Sequence, residues 1–301
     1  MTEILEALRA RLGEARVQTN VPMWQHTTFK IGGPADVFVQ PSNAEELTFV
    51  LEQTRRKNIN CFVLGNGSNL LVKDGGIRGV VVSLKGLCSL ELLEEDKIMA
   101  GAGVLMSDLS KFARDNSLTG LEFAEGIPGS VGGGIMMNAG AYDGEIGDVL
   151  LSAAVIDREC KPLEINLADM AFSYRKSRVQ SEGWVVASAV FKLGKGDVAA
   201  ISAKMADLCE RRTSKQPLEL PSAGSTFKRP VGKFAGKLIM DAGLRGYSLG
   251  GAQVSEKHCG FVVNKAGATA AHVLGLMEHV QTTVHEKFGI WLEPEVKIVG
   301  E

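Results

Sequence analysis

The alternation of apolar and polar positions predicts helices and strands that alternate through the first third of the chain. Helical periodicity runs through "MTEILEALRARLG" and through "PSNAEELTFVLEQTRRKNI", where Ser42 and Glu45 have the spacing of a capping box. The apolar runs "CFVLG" and "GVVVSL" predict short strands on either side of the loop "GNGSNLLVKDGGIR". A strand in "IMAGAGV" and a helix in "LMSDLSKFARDN" extend this pattern of mixed α/β units.

The middle of the chain is richer in strands. The segments "LLSAAVIDREC", "KPLEINLADM" and "GWVVASAVFKLGKG" each predict one strand, and a helix is predicted over 198–212. The Pro- and Ser-containing segment "TSKQPLELPSAGS" follows this helix and breaks the periodicity. We therefore place the main domain boundary there.

The last part of the chain predicts a small α+β module. It contains a short helix in "FAGKLIMDAG", a strand in "GFVVN", a long helix in "ATAAHVLGLMEHVQTTVHEKFG" and a final strand in "EPEVKIVG". The long helix carries an apolar stripe that predicts its core-facing side, formed by Val273, Leu276, Val280, Val284 and Phe288.

Composition and charge narrow the classes of function. The 301 residues are 45% hydrophobic and 23% charged, which suits a soluble globular protein with a large core. A net charge of -2 gives no general basic field for nucleic acid or an anionic membrane. The apolar runs are too short to span a bilayer, and the N-terminus lacks an apolar signal region. We expect a cytoplasmic protein with no membrane insertion and no nucleic-acid partner.

The cysteines and histidines do not predict a metal site. Five scattered cysteines without a CxxC pair indicate reduced thiols (Cys61, Cys88, Cys160, Cys209 and Cys259). His272 and His279 lie two helical turns apart, but no third ligand has matching spacing. We expect no bound metal.

Two glycine-rich loops carry the first chemical signal. In "LGNGSNLLV", Gly65 and Gly67 permit positive φ, and Asn66, Ser68 and Asn69 add polar side chains, as in a nest that binds an anion. A tight turn between two strands would explain the same residues. In "EGIPGSVGGGIMMNAGAY", six of eighteen residues are glycine, yet the segment lacks the Lys-Ser/Thr of a P-loop and the spacing of a Rossmann turn. Two such loops could hold one pyrophosphate, so we predict a dinucleotide cofactor.

Seven ordered motifs give the chain a family resemblance. They are "TTFKIGGPAD", "LGNGSNLLV", "GIPGSVGG" with "NAGAY", "YRKS", "PSAGSTFKRP", "GGAQVSEKHCGFVVN" and "LEPEV". From about Asn20 to the end, the chain resembles the UDP-N-acetylenolpyruvoylglucosamine reductase (MurB) family of peptidoglycan-synthesis flavoenzymes.

The resemblance implies an α+β fold. It comprises a two-lobed FAD-binding domain of the vanillyl-alcohol-oxidase (PCMH) type and a C-terminal α+β substrate domain. Residues 1–28 would form an N-terminal helix and lead-in strand, residues 29–195 the FAD domain with lobes of about 29–80 and 81–195, and residues 205–301 the substrate domain.

The resemblance also implies where FAD binds. Neither glycine loop contains the His or Cys used for covalent attachment in related folds, so we expect non-covalent FAD. The expected contacts are Gly65, Asn66, Gly67, Ser68, Asn69, Leu70, Gly126, Ile127, Pro128, Gly129, Ser130, Gly132, Gly133, Asn138 and Gly140.

The resemblance implies the reaction of the MurB family. NADPH reduces FAD, and FAD then reduces the enolpyruvyl double bond of UDP-N-acetylglucosamine enolpyruvate to give UDP-N-acetylmuramate. The matching catalytic positions are Arg175 for the substrate carboxylate, Ser225 as proton donor and Glu295 at the carboxylate end of the enolate. Without the resemblance, the sequence would place Arg175 on a solvated face, Ser225 in a turn and Glu295 at the start of a strand.

The segment between Arg175 and Ser225 has room only for one strand, one helix and a linker. It therefore resembles the short type II form, which lacks a tyrosine loop that closes over substrate. Weaker candidates for contacts to the diphosphate or uracil are Lys228, Arg229, Tyr247 and His258, and surface placement explains these four equally well.

Two rival functions remain open at this point. One is an FAD-dependent oxidase of a hydroxy acid or sugar alcohol on the same fold, although Ser225 argues for a proton donor where such an oxidase needs a base. The other is a non-catalytic sensor of nucleotide sugars. For the reductase we expect a monomer whose partners are its substrate and NADPH, with roles in cell wall biogenesis, cell shape, the cell cycle and cell division.

Overall fold

The chain folds into eight α-helices and eighteen strands, and the computed structural model describes all residues from 1 to 301. The helices are α1 Thr2–Leu12, α2 Ala44–Arg56, α3 Met106–Asp115, α4 Val131–Met136, α5 Arg178–Glu182, α6 Val198–Lys215, α7 Ala235–Asp241 and α8 Ala270–Phe288. The strands of the first half are β1 Val17–Pro22, β2 Pro34–Val39, β3 Cys61–Leu64, β4 Leu70–Val72, β5 Ile77–Ser83, β6 Leu90–Glu94, β7 Lys97–Gly101, β8 Leu118–Thr119, β9 Gly140–Ala141 and β10 Gly144–Glu145. Those of the second half are β11 Leu150–Ile156, β12 Pro162–Asn166, β13 Val185–Lys192, β14 Gly194–Lys195, β15 Ser248–Leu249, β16 Ala252–Val254, β17 Val262–Asn264 and β18 Lys297–Val299.

The chain divides into two compact units, each built from three stretches of sequence. The first unit contains Met1–Thr19, Val37–Asn66 and Gly79–Arg212. The second contains Asn20–Asp36, Gly67–Arg78 and Thr213–Glu301. The consecutive domain limits given in the sequence analysis stay a prediction.

The first unit contains the larger sheet. Its strands follow the order β12-β11-β13-β7-β6 and pair antiparallel throughout. Helix α4 packs against β13 and β7 of this sheet. The parallel pair β3 and β5 places Leu64 next to Ser83, so both strands end at the same edge, where β3 leads into the first glycine loop.

The second unit combines a three-stranded sheet, β15-β16-β17, with the parallel pair β4 and β18. Helix α8 packs on β15, β16 and α7. Thr269 caps α8 through a hydrogen bond from His272 N, and Gly289 ends the helix in the left-handed conformation, as glycine after a helix commonly does.

Most of the predicted core stripe of α8 is buried. Val273, Leu276, Val280 and Val284 are fully buried, which confirms four of the five positions. The prediction for Phe288 is wrong, because its side chain is 37% exposed. It occupies the last helical position before Gly289, where the helix ends at the protein surface.

Three local predictions differ from the structure. The cap of α2 is Asn43, whose side chain accepts from Glu46 N at 2.9 Å, so the predicted Ser42 and Glu45 pair is displaced by one residue. The first glycine loop includes strand β4, which pairs with β18 from the far end of the sequence. The second glycine loop forms helix α4 over Val131–Met136, although its glycines have low helix propensity.

Candidate active site

Within the first unit, the first glycine loop contacts the second glycine loop. The Asn66 side-chain amide donates to the Pro128 carbonyl at 2.6 Å. A Cβ on Gly65 would lie only 2.5 Å from Ser130 Oγ. Glycine at position 65 therefore leaves room for the Ser130 hydroxyl in its present position.

The three glycines of α4 are explained differently. A Cβ on Gly132 would lie 2.9 Å from the Ala102 Cβ, and one on Gly134 would lie 3.0 Å from Met106 Sδ. These two glycines allow α4 to pack closely. At Gly133, by contrast, a Cβ would meet only Ser130 Oγ, at an ordinary 3.7 Å. Packing within the protein does not require glycine there.

Several polar atoms around these loops are buried without a hydrogen-bond partner in the protein. They include Ser130 Oγ, Asn138 Nδ2 and Ser83 Oγ. Asn138 is held by its other side-chain atom, since Oδ1 accepts from Gly147 N at 3.0 Å. Buried polar groups in folded proteins are normally paired, so unpaired ones need an explanation.

These observations fit the expected flavin cofactor. A bound FAD would offer phosphate and carbonyl acceptors to groups such as Asn138 Nδ2 and the serine hydroxyls, and would give a reason for the bare backbone at Gly133. Neither loop contains Cys or His, in keeping with non-covalent binding. The residues present therefore suit FAD, while the individual cofactor contacts stay predictions.

Sequence reasoning missed one cation beside the second loop. The Arg212 side chain lies against Gly126, where a Cβ would be 2.7 Å from the arginine Cδ. Burial lowers the pKa of the Arg212 guanidinium, although an arginine remains cationic at neutral pH. The segment "CERRTSK" gave no signal because charged residues near a helix end usually form a solvated face.

Arg175 is fixed next to the end of the second glycine loop. Its backbone has a φ of 57°, which is uncommon outside glycine, and its guanidinium lies 5.0 Å from the centre of the Tyr174 ring. Its Nη2 reaches the Gly140 carbonyl at 3.5 Å, a weak contact. Two residues further on, Ser177 Oγ donates to the Met136 carbonyl at 2.8 Å. The predicted Arg175 is thus held close to the predicted cofactor loop.

In the second unit, the remaining residues of the first glycine loop make contacts within the protein. Gly67 has a φ of +68°, and a Cβ there would lie 2.2 Å from the His26 carbonyl oxygen, so the chain's own backbone requires this glycine. The Asn69 side chain donates to the Glu295 carbonyl at 3.2 Å, and its own carbonyl accepts from Lys297 N at 2.9 Å. Leu70 begins β4, and Ser68 is half-buried. Cofactor contacts by these four residues stay predictions.

The structure brings Ser225 and Glu295 onto adjacent backbone segments of the second unit. Glu295 N donates to the Thr226 carbonyl at 2.9 Å, and Lys228 N donates to the Glu293 carbonyl at 2.8 Å. An antiparallel bridge joins Phe227 to Pro294 between them. We call residues 225–228 and 293–296 the serine–glutamate ladder. The Ser225 side chain is exposed, and that of Glu295 is half-buried.

The four weaker candidates all have partners within the second unit. The Lys228 ammonium pairs with the Glu293 carboxylate, and the Arg229 guanidinium lies 3.9 Å from the centre of the Phe234 ring. Tyr247 stacks on His279 of α8 with ring centres 4.4 Å apart.

His258 is half-buried, and its Nδ1 accepts from Gly260 N at 3.1 Å. Burial lowers the pKa of His258, which favours the neutral imidazole at neutral pH. Substrate contacts by His258 and by the other three candidates stay predictions.

Comparison with known proteins identifies the family. Residues 216–299 match the C-terminal domain of UDP-N-acetylenolpyruvoylglucosamine reductase, and residues 35–166 match an FAD binding domain. A UDP-N-acetylenolpyruvoylglucosamine reductase of Clostridium perfringens is 50% identical over 99% of this chain and 98% of its own length. One from Caldanaerobacter subterraneus is 51% identical over the whole of both chains.

The chain belongs to the UDP-N-acetylenolpyruvoylglucosamine reductase family. The crystal structure of the reductase from Thermus caldophilus matches with a TM-score of 0.82 and 34% identity, over 95% of this chain and 99% of that one. Alkyldihydroxyacetonephosphate synthase is similar in fold alone, with a TM-score of 0.52 and 17% identity over 65% of this chain and 44% of that one.

Family membership confirms several predictions from the sequence. These are the reductase family itself, the α+β fold class with its FAD-binding domain, and a flavin-dependent oxidoreductase. None of the helices is both long and apolar enough to cross a bilayer. None of the five cysteines forms a disulfide bond, and no three His, Cys, Asp or Glu side chains gather as ligands of one metal ion would.

Proposed function

We propose that this chain reduces UDP-N-acetylglucosamine enolpyruvate to UDP-N-acetylmuramate, with NADPH as hydride donor and non-covalent FAD as cofactor. The observation that supports the proposal most is the serine–glutamate ladder, in which the segment of Ser225, the proposed proton donor, is hydrogen-bonded to the segment of Glu295. This arrangement occurs in a chain that belongs throughout its length to the reductase family.

Bound FAD would supply the redox chemistry, taking hydride from NADPH and passing it to the vinyl carbon of the substrate. The chain's own residues would bind, orient and protonate. Arg175 is proposed to bind the substrate carboxylate through two parallel hydrogen bonds, because a guanidinium presents its donors in a fixed fork. Its positive φ sets the direction in which the side chain leaves the backbone, and its Nη2 lies 3.5 Å from the Gly140 carbonyl.

Ser225 and Glu295 are proposed to complete the addition of hydrogen across the double bond. Hydride delivered to one carbon leaves negative charge on the other, next to the carboxylate, and a proton donor must neutralise it. Ser225 would donate that proton from its hydroxyl, and the alkoxide left behind would need stabilisation by hydrogen-bond donors. Glu295 would orient or protonate the carboxylate end of the enolate, since a carboxyl group donates a hydrogen bond only in its protonated form.

The remaining contacts are proposed from residue chemistry. Lys228 and Arg229 would meet the substrate diphosphate, and Tyr247 and His258 the uracil or the diphosphate. Lys228 would then have to exchange Glu293 for phosphate, and Tyr247 to share its ring with His279. We further propose a cytoplasmic monomer whose product enters peptidoglycan synthesis and through it cell shape, the cell cycle and cell division.

The proposal is tested by the absorbance of the purified protein under anaerobic conditions. The protein should be yellow, NADPH should bleach the flavin band, and UDP-N-acetylglucosamine enolpyruvate should restore it. Acid precipitation should release the flavin into the supernatant. Rapid restoration by oxygen, together with no response to the enolpyruvate, would instead support an oxidase. An unbleached band would support a sensor.

A further inference from the structure

We propose that Thr226 is the positioning residue that holds Ser225 and Glu295 in reactive register. The inference rests on the proposed roles of those two residues and adds a third residue that touches neither substrate nor cofactor. It follows from the hydrogen bonds that Thr226 makes on its two sides within the second unit.

On one side, Thr226 is joined to the segment that leads into β17. Its backbone N–H donates to the Gly260 carbonyl at 2.9 Å. Its hydroxyl accepts from Val262 N, also at 2.9 Å, and the side chain is only 3% exposed. The hydroxyl therefore takes the place of a backbone carbonyl opposite Val262 and satisfies a buried N–H that would otherwise lack a partner.

On the other side, Thr226 is joined to the segment that carries Glu295. Its carbonyl accepts from Glu295 N at 2.9 Å and lies 3.5 Å from Val296 N. Thr226 thus links β17 to the Glu295 segment, and the side chain of Ser225 leaves the backbone one residue before this link.

Before Ser225, the chain is attached to β17 at Ser222, which bridges Val263, and Gly224 lies between that attachment and Thr226. Gly224 has a φ of +74°, and a Cβ there would have no neighbour within 4 Å. Its N–H lies 3.4 Å from Ser222 Oγ, a long hydrogen bond. Ser225 therefore lies between attachments to the β17 segment at Ser222 and at Thr226, and the bonds of Thr226 are the nearer restraint on the direction of its side chain. Small displacements of a reacting group cost much rate, so a threonine hydroxyl at this position has a catalytic consequence without contact to substrate.

A series of substitutions tests this role by weakening one acceptor. Thr226→Val keeps the shape of the side chain and removes the oxygen, Thr226→Cys leaves a weak acceptor, and Thr226→Ser restores a hydroxyl. With pre-reduced enzyme at saturating substrate, we expect Thr226→Val to slow reoxidation of the flavin by about tenfold or more. Thr226→Cys should lie between, and Thr226→Ser close to the native rate. FAD content and flavin reduction by NADPH should not change.

Two control variants separate positioning from loss of stability. Asp74→Ala removes a carboxylate that accepts from Ala270 N and Ala271 N at the start of α8, so it should lower the melting temperature of the second unit and leave the rate unchanged. Thr54→Val removes another buried threonine hydroxyl, which donates to Leu51 O in α2 of the first unit, and should also leave the rate unchanged. Amide hydrogen exchange at Val262 and Glu295 should accelerate in Thr226→Val and in neither control.

Ser225→Ala distinguishes failure of this inference from failure of the proposed function. If Ser225→Ala is slow and Thr226→Val reoxidises at the native rate, the positioning role is wrong while the chemistry stands. If Ser225→Ala itself reoxidises at the native rate, the proposed proton donor is wrong. A Thr226→Ser variant as slow as Thr226→Val also overturns the inference, because the hydroxyl would then not be the group that matters. Should Thr226→Val fail to fold, the cysteine and serine variants decide the question.

Discussion

The second glycine loop and the serine–glutamate ladder differ in how they build the candidate site. Between Glu125 and Tyr142, side chains are absent where backbone must come close to other groups, as Gly132 does to Ala102. In the ladder, backbone hydrogen bonds hold polar side chains at adjacent positions, as Thr226 does for Ser225 and Glu295. In the glycine loop, the absence of side chains leaves space for close backbone contacts. In the ladder, the register of the backbone determines where side chains lie.

This difference predicts two distinct kinds of mutant. Substitutions that add atoms to the glycine loop should lose cofactor. Substitutions that change the ladder should keep the cofactor and lose the step in which substrate is protonated. The predictions below test whether the two behaviours separate in this way.

The largest expected effect on cofactor binding is the loss of FAD affinity in Gly133→Ala. Packing leaves room for a Cβ at this position, and alanine favours a helix more than glycine, so the apoprotein should be as stable as the native one or slightly more stable. The Kd for FAD should nevertheless rise, by about ten- to a hundredfold, because the methyl group fills space proposed for the cofactor. Fluorescence titration of the apoprotein with FAD measures this.

Gly275→Ala is the matched control for Gly133→Ala. Gly275 is also a helical glycine, in α8, and a Cβ there would make ordinary contacts with Leu249 at 3.6 Å and 3.7 Å. It should leave the FAD affinity unchanged. Equal FAD affinity in Gly133→Ala and Gly275→Ala would contradict the proposed cofactor position.

The next effect concerns Arg175→Lys. Lysine keeps the positive charge but loses the paired hydrogen bonds, so flavin reoxidation by substrate should fall by about tenfold or more while flavin reduction by NADPH survives. Arg178→Lys is the matched control, since the Arg178 guanidinium also lies over an aromatic ring, 5.1 Å from the centre of Trp184. Stopped-flow absorbance resolves the two half-reactions. A variant that mainly loses FAD would place Arg175 in the cofactor site instead.

A smaller effect is expected on the acid stability of the first unit. A hydrogen bond from Arg16, aided by bonds from Ser42, lowers the pKa of the Glu46 carboxyl to about 2. Because the folded pKa lies below the ordinary value of 4.5, the pair stabilises the fold above about pH 4.5, and this contribution is lost as the pH falls towards 2. Allowing for the partial exposure of Arg16, we expect about 2 kcal/mol.

Arg16→Ala should therefore lower the free energy of unfolding at pH 7 and have little further effect near pH 2. Urea unfolding of both proteins at several pH values measures this difference. A difference that did not depend on pH would show that Arg16 acts through packing alone.

The smallest effect is predicted for Ser130→Ala. The hydroxyl is buried without a partner in the protein, so removing it should leave the melting temperature of the apoprotein unchanged or slightly higher. The rise in melting temperature that FAD produces should become smaller, since one hydrogen-bond donor to the cofactor is lost. A less stable apoprotein with an unchanged FAD effect would mean that Ser130 has only a structural role.

Elements with strong local periodicity could be predicted from sequence. The helices α1, α3 and α8 and the strands β11 and β13 follow directly from the apolar pattern. Helix α4 could not be predicted, because three consecutive glycines disfavour a helix and it is packing on Ala102 that supports it.

Within the candidate site, the ordered motifs identified the family, but contacts between distant segments gave no local signal. The partner of the Asn69 side chain is the Glu295 carbonyl, and the partner of the Thr226 hydroxyl is Val262 N. Both contacts join residues that are far apart in sequence. From sequence alone, Asn69 therefore resembles a cofactor ligand, and Thr226 carries no signal that separates it from its neighbours.

The most direct test of the account is a single turnover of the Ser225→Ala variant. Enzyme reduced with NADPH is mixed anaerobically with UDP-N-acetylglucosamine enolpyruvate, and the return of the flavin absorbance is followed. The variant should bind FAD and be reduced at native rates, but its reoxidation should be slower by on the order of a hundredfold or more. Ser225→Cys should retain more activity than Ser225→Ala. Reoxidation of Ser225→Ala at the native rate would show that another group protonates the substrate and that the ladder does not position the proton donor.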